Sequence, residues 1–148
     1  MEISTKYHGK IDIKLEETLI FDGGIPGFLK EKRFVLLPLP DNQFFHILQS
    51  VETQHLAFVV TDPFIFFKDY DFTIDENTVE FLGNPVEKDI KVLTILTVKE
   101  PMSETTANLQ APVIINLSNK KAKQVILNNT DYRTRHQIFS KTEELQKG

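Results

Sequence analysis

No apolar pattern in this chain runs long enough for a substantial helix. Short segments rich in Val, Ile, Phe and Thr recur instead, each stopped by Gly, Pro, Asn or Asp. Many short strands with turn residues between them give that pattern. The candidates are residues 19–21, 33–37, 44–49, 56–61, 71–74, 90–98, 106–110, 113–117 and 122–127. All seven prolines fall at or beyond the ends of these segments, where a missing N–H does least harm. Ahead of them, Ile3, Thr5 and Tyr7, then Ile11, Ile13 and Leu15, alternate with polar residues, the period of strands buried on one face. A two-residue loop at His8-Gly9 would set Thr5 against Asp12 and Ile3 against Lys14. A three-residue loop, His8-Gly9-Lys10, sets Tyr7 against Ile11, Thr5 against Ile13 and Ile3 against Leu15. The second register buries one consistent face and is the one expected. Asn119-Lys120 is expected to close the last strand pair as a two-residue turn, since Asn tolerates the left-handed region. Helical pattern is confined to residues 75–82, with Asp75 as cap and Gly83 as stop. The expected fold is a mostly β, antiparallel β-barrel-like single domain with one short helix, spanning residues 1–139. Residues 140–148 read as a mobile C-terminal end.

Composition narrows the function classes. The chain has 148 residues, 41% hydrophobic and 26% charged, enough for one full core and too apolar for wholesale disorder. It has no cysteine, which excludes a disulfide framework, a thiolate zinc site and a cysteine nucleophile. Met1-Glu2-Ile3-Ser4-Thr5-Lys6 lacks the apolar core of a secretory signal, and no apolar run approaches the roughly 20 residues that span a bilayer. A soluble, cytoplasmic protein without membrane contact is expected.

Charge is unevenly spread. Residues 1–117 carry 18 acidic against 10 basic side chains, and residues 118–148 carry 3 against 7, within a formal net charge of -4. The sharpest acidic stretch holds Asp69, Asp71, Asp75, Glu76, Glu80, Glu87 and Asp89, with Lys88 as its only basic residue. Such a field repels phosphate backbones and attracts basic partners. Its plainer reading is a solvated face that keeps the domain soluble. Direct nucleic-acid binding by the body of the protein is disfavoured, although Lys120, Lys121, Lys123, Arg133 and Arg135 form a basic tail that an RNA-binding barrel could use.

Catalytic patterns are absent. His8, His46, His55 and His136 show no metal-ligand spacing. There is no serine elbow, and Gly9-Lys10 is followed by Ile11 rather than the hydroxyl of a phosphate loop. Gly23-Gly24-Ile25-Pro26-Gly27 contains a proline and leads into no helix, so it reads as a tight loop needing unusual backbone angles. Asp69 and Asp71 would point the same way in a strand, but nothing beside them suggests acid–base work. Asn116-Leu117-Ser118 and Asn128-Asn129-Thr130 match the glycosylation pattern, which carries no meaning without secretion. The expectation is no enzyme, no cofactor and no metal.

Aromatic residues are the other conspicuous feature, with twelve phenylalanines and no tryptophan. Phe44-Phe45 and Phe64-Ile65-Phe66-Phe67 are adjacent runs. Neighbours in a strand face opposite sides, so either both faces are covered or some rings are exposed for a partner. Because 64–67 leads into the acidic stretch, a partner surface is expected on Asp69, Asp71, Asp75, Glu76 and Glu80, with Phe64 or Phe66 supplying apolar contact.

Several blocks then carry a resemblance. Phe21-Asp22-Gly23-Gly24-Ile25-Pro26-Gly27-Phe28 and Arg33-Phe34-Val35-Leu36-Leu37-Pro38-Leu39 are followed by Leu48-Gln49-Ser50-Val51-Glu52. Leu56-Ala57-Phe58-Val59-Val60-Thr61-Asp62-Pro63-Phe64 comes next, then Thr106-Ala107-Asn108-Leu109-Gln110-Ala111-Pro112-Val113-Ile114-Ile115-Asn116. Lys120-Lys121-Ala122-Lys123-Gln124-Val125-Ile126-Leu127, Tyr132 and Arg135-His136 complete the series. In this order, across residues 3–139, they resemble the FliW family of bacterial flagellar assembly factors. The resemblance implies a barrel-like β fold and no enzymatic activity. It also implies two partners in the cytoplasm: newly made flagellin, and the RNA-binding repressor CsrA, which the protein antagonises. Flagellin would occupy the protein while abundant. On its export the freed protein would capture CsrA and let flagellin mRNA be translated. A monomer when free is expected. The competing readings from the residues are a small-ligand-binding or hydrolase-like β-barrel of unknown substrate and the RNA-binding barrel.

Overall fold

Alternating β-branched and aromatic residues form strands in the computed structural model, which describes residues 1–128 and 130–139. In chain order these are β1 (Glu2–Ser4), β2 (Lys10–Asp12), β3 (Thr18–Ile20), β4 (Arg33–Leu39), β5 (Asn42–Ser50), β6 (Ala57–Thr61), β7 (Ile90–Thr97), β8 (Thr106–Ala107), β9 (Val113–Asn116), β10 (Lys121–Gln124) and β11 (His136–Gln137). Two short helices, α1 (Pro63–Phe66) and α2 (Glu76–Phe81), lie between β6 and β7. Strand order around the main sheet is β7-β6-β5-β4-β3-β10-β9, and β9 pairs back onto β7, closing a ring. Short β8 and β11 extend from β7 outside it. Every pair is antiparallel except β3 with β10, which meet in parallel at Ile20 and Lys121. The expected antiparallel barrel is therefore present, with one parallel seam and a second short helix, α1, that the sequence pattern did not indicate.

Period-two alternation fills both faces of the sheet. One set, including Phe21, Phe34, Leu48, Val60, Leu93 and Val113, packs the ring interior, where Phe21 and Phe34 meet edge-on at 5.2 Å. Such ring pairs add about 0.5–1.5 kcal/mol beyond area burial. The opposite face of β4 and β5 is covered too. Val35 packs beneath Ile3 and Ile13 of the β1–β2 hairpin, and Gln49, its cross-strand partner, is fully buried there. Gln49 Oε1 accepts the Lys6 N–H at 2.9 Å, and its Nε2 donates to the carbonyls of Ser50 and Gln54, each at 3.0 Å. One buried amide thus ties the hairpin to the β5–β6 loop, and full pairing is what makes its burial tolerable.

Several expected details are corrected. Ile3 lies opposite Ile11, not Leu15, and the loop is longer, with the Thr5 N–H and Oγ1 both donating to the Gly9 carbonyl. The slip is an even number of residues, so Ile3, Thr5 and Ile13 still face inward, but Tyr7 and Leu15, expected on the same face, are 49% and 55% exposed. The β9–β10 turn takes four residues, 117–120, and Lys120 rather than Asn119 holds the left-handed conformation, at φ 66°. Pro38 sits within β4 opposite His46, just before a break in register, not at or beyond the strand's end. Residues 71–74 form no strand, β8 stops at Ala107 and β10 stops at Gln124. The expected end at 140–148 lies outside the described residues.

The loop between β3 and β4 illustrates why the glycines there are fixed. Gly24 has φ +70°, and a Cβ on it would lie 2.4 Å from the Leu29 carbonyl oxygen. Gly27, at φ +87°, has open space around the same position. Gly24→Ala should cost roughly 2–4 kcal/mol from backbone conformation and overpacking together, and Gly27→Ala only about 1–2 kcal/mol. Urea denaturation of the two variants checks that order.

Candidate partner-binding surface

Residues 62–82 lie between β6 and β7 and include the side chains expected to form a partner surface. Asp62 caps α1 by accepting the Phe64 N–H at 2.9 Å, and Pro63 occupies the first helical position. This Asp-Pro start is the signal that strand-based reading of 64–67 overlooked, and it changes where the rings point. Phe66 turns inward, within 6.2 Å of the Phe44, Phe45 and Phe139 rings. Phe64 stays 43% exposed and leans on Tyr70 at 5.8 Å. Of the two rings expected to supply apolar contact, only Phe64 is at the surface. Phe45 is buried while Phe44 is 45% exposed, so that pair divides in the same way.

Tyr70 anchors the stretch that follows. Its hydroxyl donates to the Leu109 carbonyl at 2.7 Å, and its ring meets Tyr132 at 4.7 Å. Burial, with a smaller contribution from Tyr132, pushes the Tyr70 phenol well above its ordinary range, so it remains a donor. The Tyr132 hydroxyl in turn accepts the Asp71 N–H at 3.0 Å. From there the chain runs to Asp75, which caps α2 by accepting the Thr78 N–H at 2.7 Å. The Thr78 backbone bond, helped by Thr78's side chain and by Lys123, holds the Asp75 carboxyl below its usual value.

The acidic residues are divided among different surfaces. Asp71 and Asp75 line one groove of about 450 Å³, facing Val125, Ile126, Leu127 and Asn128. Asp69 lines a separate cleft of about 340 Å³ beside Lys68, Tyr132 and His136. Glu76 and Glu80 are exposed on α2 and line neither. The strand that was to align Asp69 with Asp71 does not form. Residues 125–128 were missed as part of this surface, because only tertiary folding brings them opposite Asp71. Among the described residues no three His, Asp or Glu side chains are grouped to hold a metal ion, and no helix is long and apolar enough to cross a membrane.

His136 was not expected in the site. Its Nε2 accepts the Arg133 N–H at 2.7 Å, which requires an unprotonated Nε2 and assigns the proton of the neutral ring to Nδ1. Burial, and then Arg133, lower its pKa from 6.5.

Two pH responses follow from these caps. Asp75 has a depressed folded pKa, so its stabilisation is complete above 3.8 and is lost as pH falls through the lower folded value. Asp75→Asn should therefore lower stability at neutral pH and much less in strong acid, read from thermal melts across pH. His136 binds its proton less readily when folded. Its contribution is complete above 6.5 and declines as pH falls through 6.5 toward the folded pKa. The protection of the Arg133 amide against exchange, relative to an unfolded chain at the same pH, should fall on acidification across that window, and imidazole NMR titration should place His136 below 6.5.

Known structures share this geometry. A crystal structure of the flagellar assembly factor FliW superposes with a TM-score of 0.92 at 49% identity, covering 95% of this chain and 99% of that one. The ring, its seam and the β6–β7 excursion are thus those of a flagellar assembly factor fold. Sequence relatives agree. The flagellar assembly factor FliW of Bacillus subtilis is 52% identical over 138 residues, covering 93% of this chain and 96% of its own length. That of a Geobacillus species (strain WCH70) is 53% identical over 139 residues, covering 94% and 96%. The FliW protein family model matches residues 2–138. The chain belongs to the FliW family. Its relatives are named for assembly and not for a reaction.

Proposed function

We propose that this protein is a cytoplasmic flagellar assembly factor that works by binding other proteins. It takes flagellin and the RNA-binding repressor CsrA as alternative partners and antagonises CsrA when flagellin is depleted. Family membership over nearly the whole chain carries this reading. Charge supports the CsrA half. An RNA-binding protein presents basic surface, and Asp71, Asp75, Glu76 and Glu80 are all exposed here. Phe64 offers an exposed ring near Tyr70, while Phe66 contributes by holding α1 in place. Asp69 adds charge from the neighbouring cleft. The protein acts without cofactor or metal and is a monomer when free.

A small-ligand or hydrolase-like barrel finds no comparable support. The ring interior is filled by Phe21, Phe34, Leu48 and their neighbours, and the grooves described above open at the surface.

Reversing Asp71 and Glu80 together to Lys should weaken CsrA binding about five- to thirty-fold, taking about 0.5–1 kcal/mol for each charge. The residual affinity should be less salt-sensitive, and flagellin binding should survive better. Calorimetric titration with each purified partner reads this. Unchanged CsrA affinity at low salt would remove the acidic surface from the interaction, and failure of the unaltered protein to bind either partner would overturn the function.

A further inference from the structure

Two segments that the sequence patterns as strands lack a complete partner, and both border the Asp71–Asp75 groove. Residues 71–74 have strand-like composition, yet only the Asp71 N–H is held, by the Tyr132 hydroxyl. The N–H and C=O groups of Phe72, Thr73 and Ile74 have no hydrogen bond among the described residues. On the other wall, strand pattern extends to Leu127 although β10 ends at Gln124. Val125 donates to the Pro112 carbonyl at 2.9 Å and Leu127 to the Gln110 carbonyl at 2.8 Å, so both bond toward the same neighbour. Strand alternation turns the backbone of Ile126 the opposite way. Its N–H and C=O have no hydrogen bond among the described residues, and its side chain is 55% exposed.

The groove also has a sign. Asp71 and Asp75 are the charged side chains among its lining residues, and no basic side chain lines it. Lys123 lies near enough to act on Asp75, and Asp71 makes no ion pair among the described residues. Open backbone groups at a strand edge are satisfied by another strand, whereas the middle of a helix has no backbone donors or acceptors to offer.

We propose that this groove receives an extended, basic segment of a partner protein, added as a strand to the Ile126 edge with lysine or arginine side chains over Asp71 and Asp75. The inference rests on the reading of the acidic stretch as a partner surface and adds the conformation in which the partner is held. Main-chain pairing would supply affinity, and the two carboxylates would select against acidic segments.

The test is an NMR titration of the full chain with the acetylated, amidated peptide Lys-Val-Lys-Val-Lys-Val-Lys. Saturable shifts at the Ile126 and Thr73 amides and slowed exchange of the Ile126 N–H are expected. Replacing the peptide's lysines by glutamates should abolish them. Ile126→Pro removes the outward donor while leaving the Val125 and Leu127 donors intact. It should weaken peptide binding at least tenfold, whereas Ile126→Val should not. Should Ile126→Pro fail to fold, a peptide N-methylated at its valines, titrated into the unaltered protein, must show the same tenfold loss. Absence of shifts at the groove, equal binding by folded Ile126→Pro or by the N-methylated peptide, or a helical bound peptide would overturn the proposal. If Asp71→Lys with Glu80→Lys weakens CsrA binding while Ile126→Pro binds both CsrA and peptide fully, the acidic surface stands and strand addition falls. If neither change affects CsrA or peptide, both fall.

Discussion

Everything else in this structure depends on β7 being paired along both of its edges. Val60 and Thr61 of β6 meet it at Ile95 and Thr94, while Val113 to Asn116 of β9 meet it from Leu93 back to Ile90. That second pairing turns a sheet into a ring and removes the open edges that an unclosed sheet would present. It also obliges the chain between β6 and β7 to run over the outside. There it becomes two one- or two-turn helices and an extended stretch rather than another strand. A ring this small is filled by its own side chains, so chemistry is displaced to the exterior.

On that exterior, polar side chains act mainly as fasteners. Gln49 holds the β1–β2 hairpin, Tyr70 and Tyr132 hold the start of the acidic stretch, Asp62 and Asp75 start the helices, and His136 closes its own loop. Each satisfies a backbone group outside the strand ladders, from the buried Leu109 carbonyl to the exposed N–H groups of Phe64, Asp71 and Arg133. The consequence for the surface is rigidity at defined points, with exposed carboxylates and the exposed Phe64 ring carried between them.

Much of this was legible from local pattern. The strands at 33–37, 44–49, 56–61 and 90–98 were readable because alternation and β-branching report burial directly. Helix α2 was readable because Asp75 and Gly83 flank it as cap and stop. What escaped was set partly by short-range loop and cap bonds and partly by neighbours distant in sequence. The hairpin register escaped because two registers an even step apart keep Ile3, Thr5 and Ile13 on one face, and only the Thr5–Gly9 loop bonds choose between them. Helix α1 was hidden because 64–67 is apolar throughout, and periodicity cannot separate a short buried helix from a strand without weighting Asp62-Pro63. Residues 71–74 kept strand composition but found no strand beside them. The site was half-legible for the same reason. The carboxylates were visible as a run of charge, while the opposing wall at 125–128 lies some fifty positions later in the chain.

The parallel seam between β3 and β10 has a further consequence, for the order of events during synthesis. Ile20 receives its partner at Lys121 only after about a hundred more residues have been made. Until then β3 to β7 can exist as an antiparallel meander, each strand beside the one before it, built from contacts close along the chain. Its two boundary strands stay uncovered until the last third of the protein emerges. Ring closure is therefore the late, long-range step, the kind that slows β proteins, and a chain arrested before β9 would leave the ribosome with both boundaries exposed.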